Sequence, residues 1–62
     1  MYQVIYASDE NYMHVDLFED CEKSTAYDDY CMSKDRDNIV SVMLIYVDAK
    51  QCFGEILASY RK

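Results

Sequence analysis

The side chains that could ligate a metal or act as a nucleophile are few in this sequence. They are one histidine and three cysteines: His14, Cys21, Cys31 and Cys52. No two of them stand at the CxxC or HxxxH spacing that structural zinc sites use. A cysteine with His14 as its base would lack a third group at a recognisable spacing to orient the pair. We therefore expect no catalytic site, no metal and no cofactor, with Cys31 a small buried hydrophobic residue and Cys52 a loop thiol.

The cysteines also bear on the compartment. An odd number without a repeated spacing is unlike the even disulfide framework of small secreted domains. If Cys21 and Cys31 share a helix, ten residues separate them by roughly 15 Å, which is too far for a disulfide. The N-terminus has no basic segment followed by an apolar one, and the longest uncharged stretch, residues 38–47, is too short to span a membrane. The sequence predicts a cytoplasmic protein that does not enter membranes.

Length and composition limit the fold. A chain of 62 residues forms a single domain, residues 1–62, and buries about 60% of its unfolded surface, which leaves no room for an enclosed catalytic cavity. A hydrophobic fraction of 52%, with seven tyrosines and two phenylalanines, is too high for a disordered chain. We expect a small folded domain that is not an enzyme.

Charge is the strongest lead to function. Twelve acidic residues against six basic ones give a net charge of −6. Ten of these acids and three of the bases lie in residues 9–37, a net of −7, and the rest of the chain carries +1. Nucleic acids and anionic membranes would repel such a protein, so neither is an expected partner. A partner with a basic, nucleic-acid-binding surface fits better.

The first third of the chain predicts a hairpin. In residues 2–7, Tyr2, Val4 and Tyr6 alternate with Ile5 and Ala7, as in a strand. A turn over residues 8–11 leads into a second alternating strand, residues 12–18. The alternative for that segment is a helix that begins near residue 16, where an aspartate and a glutamate three residues later resemble a capping box.

The remainder predicts one helix and two strands. Residues 19–34 form an amphipathic helix with Ala26, Tyr27, Tyr30 and Cys31 on its apolar face and Asp29 on the opposite, outer face. Residues 39–47 are apolar on both faces, which is typical of a central or doubly covered strand. Gly54 supplies a positive φ or a bulge before a last strand at residues 55–61. The predicted fold is α+β, an antiparallel sheet of three to four strands with one helix on one face, in the order β-β-α-β-β.

The candidate partner-binding residues are acids of the helix and its flanking loops, together with tyrosines that combine contact area with a polar tip. They are Glu22, Asp28, Asp29, Asp35 and Asp37, with Tyr12, Tyr27 and Tyr30. A row of carboxylates could compete with DNA for a groove lined by Lys and Arg. One alternative is that the acidic face only solvates the protein and discourages association. Another is an interaction module that pairs with a protein partner at an exposed sheet edge, with the acidity incidental.

Three segments, together with the size and charge, resemble the small acidic proteins that bacteriophages encode against host defence or nucleic-acid enzymes, including anti-CRISPR proteins. The segments are YQVIYA (residues 2–7), EKSTAYDDY (residues 22–30) and NIVSVMLIY (residues 38–46). The resemblance also extends to phage antitoxins that block a host RNase. It implies inhibition by occupying the surface of a host protein or ribonucleoprotein complex, in the cytoplasm of the infected bacterium and as a monomer or homodimer.

Overall fold

A four-stranded antiparallel sheet with one α-helix packed on one face makes up the protein. This is the architecture of a computed structural model that describes residues 1–62. The elements in chain order are β1 (Tyr2–Ser8), β2 (Met13–Phe18), a short 3-10 turn (Asp20–Glu22), α1 (Lys23–Lys34), β3 (Ile39–Asp48) and β4 (Phe53–Arg61). The predicted α+β class and β-β-α-β-β order are confirmed.

The strands lie in the order β2-β1-β3-β4, and every neighbouring pair is antiparallel. Because side chains alternate along a strand, cross-strand partners share a face. The face covered by α1 carries three rows of residues: Phe18, Tyr2, Tyr46, Glu55; Asp16, Val4, Leu44, Ala58; and His14, Tyr6, Val42, Tyr60. A register shift in the β3–β4 pair, opposite residues 56–58, lets Leu57 also pack against the core. The other side of the sheet is called the open face below.

The core lies between the helix and the two central strands. Its six buried residues are Val4, Ala26, Tyr30, Ile39, Val42 and Leu44. The small side chains of Ala26 and Ser33, both buried, face the sheet on either side of Tyr30 and let the helix approach it. The helical segment begins where Oε1 of Glu22 accepts the Glu19 N–H at 3.0 Å, and it ends at Asp35 before the turn into β3.

The first hairpin forms as a strand pair, so the alternative helix start near residue 16 is wrong. Three other expectations fail. Cys31 is exposed and Asp29 is half-buried against the sheet, because the inward stripe of α1 runs through residues 26, 30 and 33. Gly54 has no positive φ. The left-handed positions are Asn11, at φ 60°, and Cys52, at φ 51°, which close the two hairpin turns.

The single α-helix is neither long nor apolar enough to cross a membrane.

Candidate functional site

Four of the acids come together at one end of the molecule. The backbone N–H of Asp9, in the β1–β2 turn, donates to the carbonyl of Asn38 at 2.9 Å. This bond sets the turn that carries Asp9 and Glu10 beside the loop that carries Asp35 and Asp37. Nζ of Lys62 also fixes this loop, since it donates hydrogen bonds to the carbonyls of Arg36 at 3.1 Å and Asp37 at 3.0 Å.

The outer side of α1 continues this acidic end. Asp28 and Asp35 are seven residues apart, which is two helical turns, so they lie on one face about 10 Å apart along the axis. Both are exposed, and Asp9, Glu10 and Asp37 are exposed as well. We call the group Asp9, Glu10, Asp28, Asp35 and Asp37 the acidic surface.

These acids are not neutralised within the chain. Only two ion pairs are present, from the N-terminus to Asp20 and from His14 to Asp16. None of the six Lys and Arg side chains lies within 4.0 Å of a carboxylate. The carboxylates of the acidic surface therefore remain available to cations outside the protein.

Of the other predicted acids, Glu22 is half-buried and occupied in capping the helical segment. Asp29 points toward β2, where it meets Asp16, and its Oδ2 is buried without a hydrogen-bond donor. Burial, and then the interaction with the Asp16 carboxyl group, raise the pKa of Asp29 to about 6. Two ionised carboxylates only accept hydrogen bonds, so the pair is satisfied when one of them carries a proton. Asp29 is thus set apart from the acidic surface.

Aromatic and basic groups surround this acid pair. Nε2 of His14 lies 2.9 Å from Oδ1 of Asp16, and the His14 ring is 5.0 Å from the Tyr6 ring. Arg36 lies over the Tyr6 ring at 5.9 Å. Burial and the negative charge of Asp16 raise the pKa of Tyr6. The cluster ties the helix to β1 and β2, and sequence reasoning missed it because it forms only when Asp29 turns inward.

The three candidate tyrosines are dispersed. Tyr12 is exposed in the first turn, close to the acidic surface, whereas Tyr30 belongs to the core and cannot reach a partner. Tyr27 is 37% exposed on the side of the helix that faces β3 and β4, where it lines a shallow depression with Tyr46 and Leu57.

The three cysteine thiols are free and exposed, and they lie in the 3-10 turn, the helix and the β3–β4 turn. No group of three or more His, Cys, Asp or Glu side chains is placed to hold a metal ion.

At the N-terminal end of the helical segment, the N-terminal ammonium group donates to Asp20, and this hydrogen bond lowers the pKa of that carboxyl group.

Comparison with protein-family models, curated proteins and solved structures finds no match to this chain.

Proposed function

We propose that this protein is a non-catalytic inhibitor, of the phage-encoded anti-defence or anti-CRISPR type, that binds a host nucleic-acid-handling protein or complex. The acidic surface would bind the Lys and Arg side chains that otherwise hold DNA or RNA, in the cytoplasm of the infected bacterium. The observation that carries the proposal is that these five carboxylates are exposed and have no ion-pair partner in the chain. Tyr12, beside them, would supply apolar contact area.

The spacing of the carboxylates supports this mechanism. Asp28 on the helix and Asp35 just after its end are separated by about 10 Å along the helix axis, and the acids of the turn and loop add charge at one end, so the charges extend along an axis. B-DNA presents its charges along an axis, one per ~1.7 Å, and a basic groove is built to meet such a line. Salt screens the attraction between exposed carboxylates and basic side chains, so the affinity of this kind of binding falls as the salt concentration rises.

Charge reversal of Asp28 and Asp35 tests the proposal. The immobilised protein is incubated with bacterial lysate, and the bound proteins are identified by mass spectrometry. We expect the wild type to capture nucleic-acid-binding proteins, and we expect duplex DNA or about 0.5 M NaCl to release them. The D28K/D35K variant should lose the capture. Asp48→Lys with Glu55→Lys is the matched control, because it changes the net charge equally at the β3–β4 end. Equal capture by D28K/D35K and wild type would overturn the proposal.

A second candidate function is pairing of a partner strand with the β4 edge. This nine-residue strand is at the border of the sheet, and most of its residues are exposed. The Lys62 N–H bonds inward to the Val40 carbonyl at 2.9 Å, so alternation points the Ser59 N–H outward. Capture that survives both high salt and D28K/D35K but is lost in Ser59→Pro, with circular dichroism unchanged, would favour this candidate.

A further inference from the structure

The open face of the sheet is predominantly apolar, with eight apolar residues among its twelve. Three cross-strand rows make up this face: Leu17, Gln3, Ile45, Ile56; Val15, Ile5, Met43, Ser59; and Met13, Ala7, Ser41, Arg61. The only charged residue among these twelve is Arg61, which stands at a corner. A groove of about 600 Å³ crosses one end of the face and is lined by Ile5, Met13 and Met43.

Nothing else in the chain covers this face. The helix packs on the other side, and all remaining elements are strands of the sheet or its turns. Three large apolar side chains of this face are more than half exposed: Met13 at 68%, Leu17 at 59% and Ile56 at 62%. The core has only six buried apolar residues, so a large share of the apolar side chains lies outside it. A contiguous apolar area of this kind on a folded protein marks an interaction surface.

The distribution of charge favours a second copy of this chain as the occupant. None of the twelve acids lies on the open face: Asp16, Asp48 and Glu55 stand in helix-facing register, and the others lie in turns, loops or the helical segment. Two copies that meet through their open faces would keep Asp28 outward on the helix layer and the other acids of the acidic surface at one end of the sheet, away from the centre of the interface. Two sheets packed about 10 Å apart, with a helix outside each, separate those surfaces by more than the ~8 Å Debye length. At physiological ionic strength the net charge of −6 therefore opposes this association only weakly.

The size of the face agrees with a stable dimer. The molecule measures 35 × 21 × 15 Å, and the two longer extents correspond to a ten-residue strand and to the width of four strands. A rectangle of these extents has an area of about 700 Å², which is the upper limit for a flat contact and approaches the ~800 Å² per partner that a standard interface buries. A chain of this length has a small core, and association is one of the ways in which such chains gain stability.

We propose that two copies of the chain pack their open faces together as a two-fold symmetric dimer, with the layers in the order helix, sheet, sheet, helix. The centre of the interface is formed by Ile5, Met43 and Ile45, where the flexible side chain of Met43 fills gaps between the sheets. Arg61 stays at the rim, in solvent. The dimer leaves the acidic surface of each copy free, so it does not depend on the proposed inhibitory function.

Sedimentation equilibrium of wild type, Met43→Lys and Met32→Lys tests the dimer. Met43 lies at the centre of the open face, whereas Met32 is 63% exposed on the helix and is the matched control. We expect the wild type and M32K to reach twice the 7.3 kDa chain mass between about 1 and 100 µM. The dimer carries M43K twice, so the dissociation constant should rise about 100-fold if each copy costs about tenfold.

Circular dichroism of M43K must match that of the wild type. If M43K does not fold, Val15→Lys on the edge strand β2 replaces it, since Val15 is already 45% exposed. A wild type that remains at 7.3 kDa at every concentration overturns the proposal, and so does a dimer that M43K and V15K leave intact. Added NaCl screens the remaining repulsion between the two copies and should not weaken the dimer, whereas it weakens binding by the acidic surface, so the two proposals fail independently.

Discussion

At the scale of single residues, the most consequential one is Asp29, because its proton links stability to pH. Its pKa is about 6 in the folded protein, against 3.8 for an ordinary aspartate. The folded state thus holds this proton over a pH range in which the unfolded state has lost it. The stabilisation is fully present below pH 4, is lost as the pH rises to about 6, and stays lost above that. Since Asp16 and Asp29 share the site, the titration belongs to the pair.

Asp29→Asn should remove the loss of stability that the wild type suffers as the pH rises through the pKa of Asp29. An asparagine cannot ionise, and its amide group can donate to Asp16, so we expect the variant to be more stable than the wild type at pH 7.5 by about 1 kcal/mol. Urea unfolding at pH 4.5 and 7.5 measures the difference. Asp28→Asn, an exposed neighbour with the same change of charge, is the control. If D29N and D28N show the same pH dependence, the shared proton does not contribute to stability.

At the scale of elements, the entry into the helix depends on Glu22. Its Oε1 accepts the Glu19 N–H, one of the backbone donors that a helical start leaves without an internal partner. Glu22→Ala should cost about 1 kcal/mol, which corresponds to about 4–8 °C in the thermal midpoint of a domain of this size. Glu10→Ala, which removes the same charge from the exposed first turn, is the control. Equal thermal midpoints for E22A and E10A would show that the cap is not stabilising.

The elements also show how far the sequence could predict the fold. The uninterrupted apolar pattern of β3 correctly indicated a central strand. The alternation of β2 separated Met13, Val15 and Leu17 from His14 and Asp16, but alternation alone does not decide which set the helix covers. Pairing with β1 decides it, because Val4 is buried under the helix and Asp16 is its partner. The polar set of β2 is consequently covered and the apolar set exposed, against the simple expectation.

The candidate site was predictable to a similar extent. The exposure of Asp28, Asp35 and Asp37 could be predicted from helix geometry and from the polar character of the loop. The structure places all three on the exterior. Asp29 and Tyr30 depended on the rotation of the helix about its axis. Small residues at positions 26 and 33 set that rotation, and their burial is a tertiary effect that the weak amphipathic pattern of this helix did not reveal.

At the scale of the whole molecule, the acidic half is not balanced by internal ion pairs, and this has a measurable consequence. The net charge is −6, ten of the twelve acids have no ion-pair partner, and the acids of the helix and its loops repel one another. Salt screens such repulsion over distances of about 10 Å at 0.1 M. We therefore expect the thermal midpoint of the wild type to rise by several degrees between about 0.02 and 0.5 M NaCl.

A variant with fewer acids in the acidic surface should respond less. The double substitution Asp35→Asn with Asp37→Asn removes two negative charges from the acidic surface and keeps side chains of the same shape. We expect its thermal midpoint at low salt to be higher than that of the wild type, and the rise of the midpoint with salt to be smaller. Differential scanning calorimetry at one protein concentration keeps any dimer contribution constant. Gln3→Asn on the open face, a substitution without a change of charge, should leave the salt response as it is in the wild type. A wild-type midpoint that falls with salt, or an equal response of D35N/D37N, would mean that the acids are already compensated in the folded protein.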